Sequence, residues 1–152
     1  MRVPDDLDGL DALVLPGGES TTMMLGIERE GLAPRLKEFV ASGKPVLATC
    51  AGAILLSRSH MAAIDIECER NAYGSQLKSF EADLDVSGIS NGAFRGVFIR
   101  APRITRVGDG VEVLATFNDD PVVLRAGAVT VLTFHPELTN DPRLHELALG
   151  AG

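Results

Sequence analysis

The run Val46-Leu47-Ala48-Thr49-Cys50-Ala51-Gly52 is a short apolar segment that stops at a turn of small residues and passes at once into apolar Ala53-Ile54-Leu55-Leu56. This is the pattern of a buried strand delivering the chain directly into a helix. Short buried strands alternating with helices imply a parallel sheet whose ligands gather at the carboxyl ends of its strands. The same elbow presents Cys50 as a nucleophile. A side chain there is held clear of the sheet, and the N–H of Ala51 points where an oxyanion could form. The helix N-terminus favours a thiolate over a thiol.

Upstream, residues 10–15 read as a buried strand that ends at Pro16-Gly17-Gly18, a loop whose glycines let backbone N–H groups approach a ligand. Glu19-Ser20-Thr21-Thr22 then opens a helix, with Ser20 or a neighbour as its cap and Met23, Met24 and Ile27 turned inward. A plain cap and a ligand role for Ser20 are equally compatible with this chemistry. A second helix over 33–42 places Leu36, Phe39 and Val40 at helical spacing and stops at Gly43. Beyond the nucleophile helix the pattern changes. Residues 65–69, 80–86, 96–99, 111–117, 122–125 and 129–134 read as strands divided by Gly, Asn and Asp turns, several of them close enough for antiparallel pairing. A helix over 141–149, with Pro142 in its first turn, closes the chain.

At 152 residues and 45% apolar content the chain suits one domain, 1–152, with a sizeable core. The net charge of −7, with no clustering of Lys and Arg, argues against a nucleic-acid surface. No apolar run reaches the roughly 20 residues a bilayer span needs, and Met1-Arg2-Val3-Pro4-Asp5-Asp6 lacks a signal-peptide core, so cytoplasmic residence is expected. Two cysteines are too few for a disulfide framework and fit a reducing compartment. No Cys and His spacing suggests zinc, and no metal is expected.

The partners for Cys50 lie far downstream, in Thr133-Phe134-His135-Pro136-Glu137-Leu138. In an extended segment His135 and Glu137 share a face, so a carboxylate can orient an imidazole that activates the thiol: a Cys-His-Glu triad. Taken alone, Cys50 reads as a buried structural thiol rather than a catalytic one, and Arg70 and Arg100 as surface ion pairs. Cys68, in step with Ile64 and Ile66, reads as packing, and the alternating Glu81, Asp83 and Asp85 as a solvated strand face. His60 and His145 have no partner that argues for function.

Three separated strings, Pro16-Gly17-Gly18-Glu19-Ser20-Thr21-Thr22, Thr49-Cys50-Ala51-Gly52 and Phe134-His135-Pro136-Glu137-Leu138, together resemble the class I glutamine amidotransferases. The stretches Glu69-Arg70-Asn71-Ala72-Tyr73-Gly74, Ser79-Phe80-Glu81-Ala82-Asp83-Leu84 and Gly96-Val97-Phe98-Ile99-Arg100-Ala101-Pro102 look like one branch, the glutaminase subunits of pyridoxal 5′-phosphate synthase. The resemblance spans nearly the whole chain. It implies a three-layer, flavodoxin-like α/β fold with a mixed sheet and helices on both faces. It also implies hydrolysis of L-glutamine, with ammonia passed to a separate synthase subunit for vitamin B6 synthesis and no cofactor. Catalysis would fall to Cys50, His135 and Glu137, the oxyanion to the N–H groups of Gly18 and Ala51, and substrate binding to Gly18, Glu19, Ser20, Arg70, Ile99 and Arg100.

The chain departs from the family in three places. It starts just ahead of the Leu15-Pro16-Gly17-Gly18 segment, where the family has a further strand and helix, so a sheet lacking those elements is expected, with unpaired backbone beside it. Ala48 stands where the family usually has Gly, which predicts slight strain at the elbow. The connection Ser57-Arg58-Ser59-His60-Met61-Ala62 is short. Alternative readings are a glutaminase serving another synthase, or a non-catalytic interaction subunit or fragment.

Overall fold

The computed structural model describes residues 4–70 and 79–150. A single 3-10 turn, Pro4–Leu7, leads into strand β1 (Leu13–Leu15), helices α1 (Ser20–Arg29) and α2 (Ala33–Ala41), strand β2 (Val46–Thr49) and helix α3 (Ala51–Leu56). Seven strands follow: β3 (Ile66–Glu69), β4 (Ser79–Leu84), β5 (Phe94–Ile99), β6 (Arg103–Val107), β7 (Glu112–Phe117), β8 (Asp120–Ala126) and β9 (Val129–Leu132). A second 3-10 turn, Pro136–Leu138, precedes helix α4 (Arg143–Leu149).

The central sheet has the order β1-β2-β9-β8-β7. Strands β1, β2 and β9 run parallel, with Leu15 opposite Ala48 and Val46 opposite Val129, while β8 and β7 pair antiparallel. The sheet is therefore mixed. All four residues of β2 and all four of β9 are buried, which is why both read as continuous apolar runs rather than alternating ones. Their side chains divide between two cores. Val46, Ala48, Val129 and Val131 join Ile27, Leu36, Phe39 and Leu55 of α1, α2 and α3. Leu47 and Leu132 join Phe94, Phe98, Leu144 and Ala148 on the opposite face, under the β4–β5 pair and α4. Helices thus cover both faces, as expected from the sequence.

Local chemistry sets the element ends. The cap of α1 is Glu19 rather than Ser20: its carboxylate accepts the Thr22 N–H at 2.5 Å. Gly43, at φ 85, lets the chain leave α2, and Gly150, at φ 66, closes α4. Pro142 stands at the N-cap of α4, one position outside the first turn where its spacing placed it. Strand β6 was not legible in the sequence. Arg103, Thr105 and Arg106 interrupt its apolar positions, yet Ile104 is buried in the first core and β6 pairs antiparallel with β3. Strand β1 is three residues long rather than six, and the middle one, Val14, is 44% exposed. Asn71, Ala72, Tyr73 and Gly74, part of one family-like string, lie outside the described residues.

Two contacts bind the second face together. Phe98 stacks on Phe80 with ring centroids 4.6 Å apart and meets Phe134 at 5.1 Å and Phe117 at 5.8 Å, so the β4–β5 pair is joined to the central sheet through aromatic rings. Arg143 donates to the carbonyls of Ser90 at 2.7 Å, Gly92 at 2.9 Å and Ala93 at 2.9 Å while pairing with Asp141, which ties the turn before β5 to α4. That guanidinium holds the Asp141 carboxyl below the usual carboxylate range. Glu81 and Asp83 form the solvated face expected of them, each paired with Arg95 across the hairpin. No helix among the described residues is long and apolar enough to cross a membrane.

Phe98 is fully buried and touches three other rings, so Phe98→Ala is expected to cost about 3–5 kcal/mol of unfolding free energy in urea titration.

Candidate active site

Cys50 sits between β2 and α3 with φ 50 and ψ −108, a positive-φ backbone that a non-glycine residue adopts at a cost of about 1–3 kcal/mol. The conformation is enforced by crowding. A Cβ built on Gly52 would lie 2.1 Å from the Leu15 carbonyl oxygen, so the start of α3 presses directly against the end of β1. The chain must leave β2 and enter the helix within one residue, and Cys50 absorbs the turn. Its N–H donates to the Leu132 carbonyl at 2.9 Å, continuing the β2–β9 ladder one residue past Thr49. The strain expected at Ala48 is found here instead: Ala48 is a fully buried strand residue paired with Leu15 and Val131.

His135 follows β9 on the neighbouring strand. Its N–H donates to the Val97 carbonyl of β5 at 2.8 Å, which fixes the backbone, and its Nδ1 lies 2.7 Å from Glu137 Oε2. The relation between these two side chains differs from the extended one read from the sequence. His135 is extended, but Pro136–Leu138 forms a 3-10 turn, and that turn brings the carboxylate round to the ring. A carboxylate on Nδ1 leaves Nε2 as the free nitrogen of the imidazole.

Gly17 holds the two halves at contact distance. A Cβ at this position would stand 2.5 Å from His135 Cε1 and 3.4 Å from Cys50 Cβ, so the ring and the cysteine flank one bare backbone unit. Hydrogen bonding to Cys50 is the largest cause that raises the His135 pKa; Glu137 adds to it, and burial opposes both. The net effect is a rise from 6.5 to about 9. The imidazole is therefore protonated at neutral pH. Cys50 Sγ also lies 4.0 Å from the Ile99 carbonyl at the end of β5.

Gly18, at φ 149, occupies a conformation closed to other residues, between Gly17 and α1. Ala51 opens α3, and the Cys50 carbonyl before it accepts from the Ala53 N–H at 3.0 Å. Arg100 follows Ile99 with φ 45, a second non-glycine residue at positive φ. Arg70, immediately after β3, reaches back to α1, where its Nη1 donates to Ser20 Oγ at 2.9 Å and Thr21 Oγ1 at 2.8 Å and lies 3.7 Å from Glu19. Gly17, Val97 and Thr21 were not singled out in the sequence. For Gly17 the glycine pair of the Pro16-Gly17-Gly18 loop was the available signal; for Val97 there was none, because it acts through its backbone.

Cys68 is not part of this cluster. Its thiol packs against Ala53 at 3.9 Å from the carbonyl oxygen, and burial pushes it up to about 12, as suits a packing role. Among the described residues no group of three or more His, Cys, Asp and Glu is placed to hold a metal ion.

Comparison with known proteins places this geometry in a lineage. Residues 1–150 match the model of the SNO glutamine amidotransferase family. A relative from Geobacillus kaustophilus, named pyridoxal 5′-phosphate synthase subunit PdxT, is 52% identical over 98% of this chain and 79% of its own length. One of the same name from Haloarcula marismortui is 53% identical over 96% of this chain and 75% of its own. A solved structure described as a glutamine amidotransferase superposes with a TM-score of 0.92 at 45% identity, covering 99% of this chain and 83% of that one.

Replacing Glu137 by Gln is expected to lower the His135 pKa from about 9 toward 6.5, and Cys50→Ala to lower it further, since Cys50 is the larger cause. Gly17→Ala, by displacing the ring, is expected to act in the same direction. An NMR titration of the His135 Cε1–H signal across the three variants measures this order.

Proposed function

The chain belongs to the SNO glutamine amidotransferase family, and from that premise we propose how it hydrolyses L-glutamine to glutamate and ammonia as the glutaminase subunit of pyridoxal 5′-phosphate synthase. The observation that carries the assignment of roles is the meeting of Cys50, His135 and Glu137 around the Gly17 backbone. In this reading residues 1–152 act as one catalytic domain, resident in the cytoplasm with its thiols reduced.

The Cys50 thiolate attacks the side-chain carboxamide carbon of glutamine, and the carbonyl electrons move onto oxygen. That oxyanion is received by the N–H groups of Gly18 and Ala51, and a single such donor is typically worth about 3 kcal/mol of transition-state stabilisation. The His135 imidazolium gives its proton to the departing nitrogen, so ammonia leaves and a glutamyl thioester remains. The now neutral ring takes a proton from water, whose oxygen attacks the thioester carbon. Glutamate leaves, and the thiolate and imidazolium are restored. Glu137 holds Nδ1 throughout, which keeps Nε2 directed at the reacting atoms.

Glu19, Ser20, Arg70, Ile99 and Arg100 hold the substrate. A guanidinium is suited to the α-carboxylate of free glutamine, because the planar fork grips both oxygens. Ammonia is handed to the synthase subunit, consistent with the two-part enzyme that the relatives' names describe. Those names at about half identity favour this branch over a glutaminase that serves another synthase.

In complex with the synthase subunit, the chain is expected to release glutamate from glutamine, and Cys50→Ala to reduce kcat on the order of a thousandfold or more. Glutamate release that persists in Cys50→Ala would support the non-catalytic reading instead.

A further inference from the structure

Arg70 is held in an unusual way for a half-exposed guanidinium. Among the described residues, all of its recorded contacts run through one nitrogen: Nη1 donates to Ser20 Oγ at 2.9 Å and to Thr21 Oγ1 at 2.8 Å, with Glu19 Oε1 at 3.7 Å. Nη1 carries two N–H groups, and two hydroxyls accept from it. That leaves Nε and Nη2, the other edge of the fork, which is the geometry for two parallel bonds to a carboxylate.

The three anchoring residues are consecutive at the start of α1, and two of them are themselves fixed. Ser20 is only 4% exposed, and Glu19 is tied to Thr22 N–H, an interaction that lowers its pKa to about 2. Thr21 is exposed, as Glu19 is, and it follows Gly17 by four residues, so it lies within about 14 Å of the backbone unit that His135 and Cys50 flank. A lone hydroxyl on Nη1 would leave the guanidinium free to rotate about that bond. Two hydroxyls on two N–H groups fix its plane.

We propose that Thr21 is a positioning residue for substrate: with Ser20 it locks the Arg70 guanidinium so that the Nε and Nη2 edge is preset for the α-carboxylate of an amino-acid substrate. This rests on the glutaminase reading above. The carboxylate is present in substrate and transition state alike and does not change during the reaction, so the contribution is uniform binding. It belongs in KM rather than kcat.

The test is steady-state glutamine hydrolysis in the complex with the synthase subunit. Thr21→Val, which keeps the shape and removes the acceptor, is expected to raise KM about tenfold with kcat retained. Thr21→Ser, which restores the acceptor, is expected to return KM to the native value. On an Arg70→Met background, Thr21→Val is expected to have no further effect, because nothing remains to be positioned. An unchanged KM in Thr21→Val, a loss confined to kcat, or an equal effect with and without Arg70 would overturn the proposal. Cys50→Ala separates this from the parent reading: if that variant is inactive while Thr21→Val is native, only the positioning role fails.

Discussion

The close approach between the first turn of α3 and the end of β1 is the constraint from which the site follows. With no side chain on Gly52, α3 begins against the Leu15 carbonyl, and the chain has a single residue in which to turn out of the sheet. Cys50 occupies that residue at positive φ. The strain is sustained from both sides, by the β2–β9 ladder that reaches its N–H and by a helix whose six residues are all buried. A side chain raised in this way is rigid because the surrounding packing leaves its backbone no other conformation.

The same economy of volume governs its partners. Gly17 brings bare loop backbone against both the imidazole and the cysteine, where a side chain would displace the ring. Val97, through its carbonyl, fixes the backbone of His135, and the aromatic cluster around Phe98 fixes Val97 in turn by holding β5 on the sheet. The hairpin that looks peripheral in the topology is thus part of what holds the imidazole.

Much of this was legible in the sequence, and the limits have physical causes. The buried strands β2 and β9 read clearly, because burial on both faces writes an unbroken apolar run. The elbow at Cys50 read clearly, since strand, small residues and helix follow without a gap. Strand β6 did not, for only Ile104 of its five residues is buried, and the polar ones are indistinguishable from a loop. His135 and Glu137 were paired correctly for an incorrect reason: an extended segment was expected, whereas a 3-10 turn makes the contact. The cap of α1 was misassigned by one residue, since Glu19 and Ser20 are both competent acceptors and only the backbone course decides between them. Contacts made by bare backbone, at Gly17 and Val97, leave little trace in residue type.

The parallel pairing of β2 with β9 joins opposite halves of the chain, Val46 to Val129 and Thr49 to Leu132. Pairings of such long sequence separation are slow to form, because the entropy of closing the intervening loop is lost before any contact compensates it. The neighbourhood of sulfur and imidazole therefore exists only while this one ladder holds, and any opening that parts the two strands dissolves it as well.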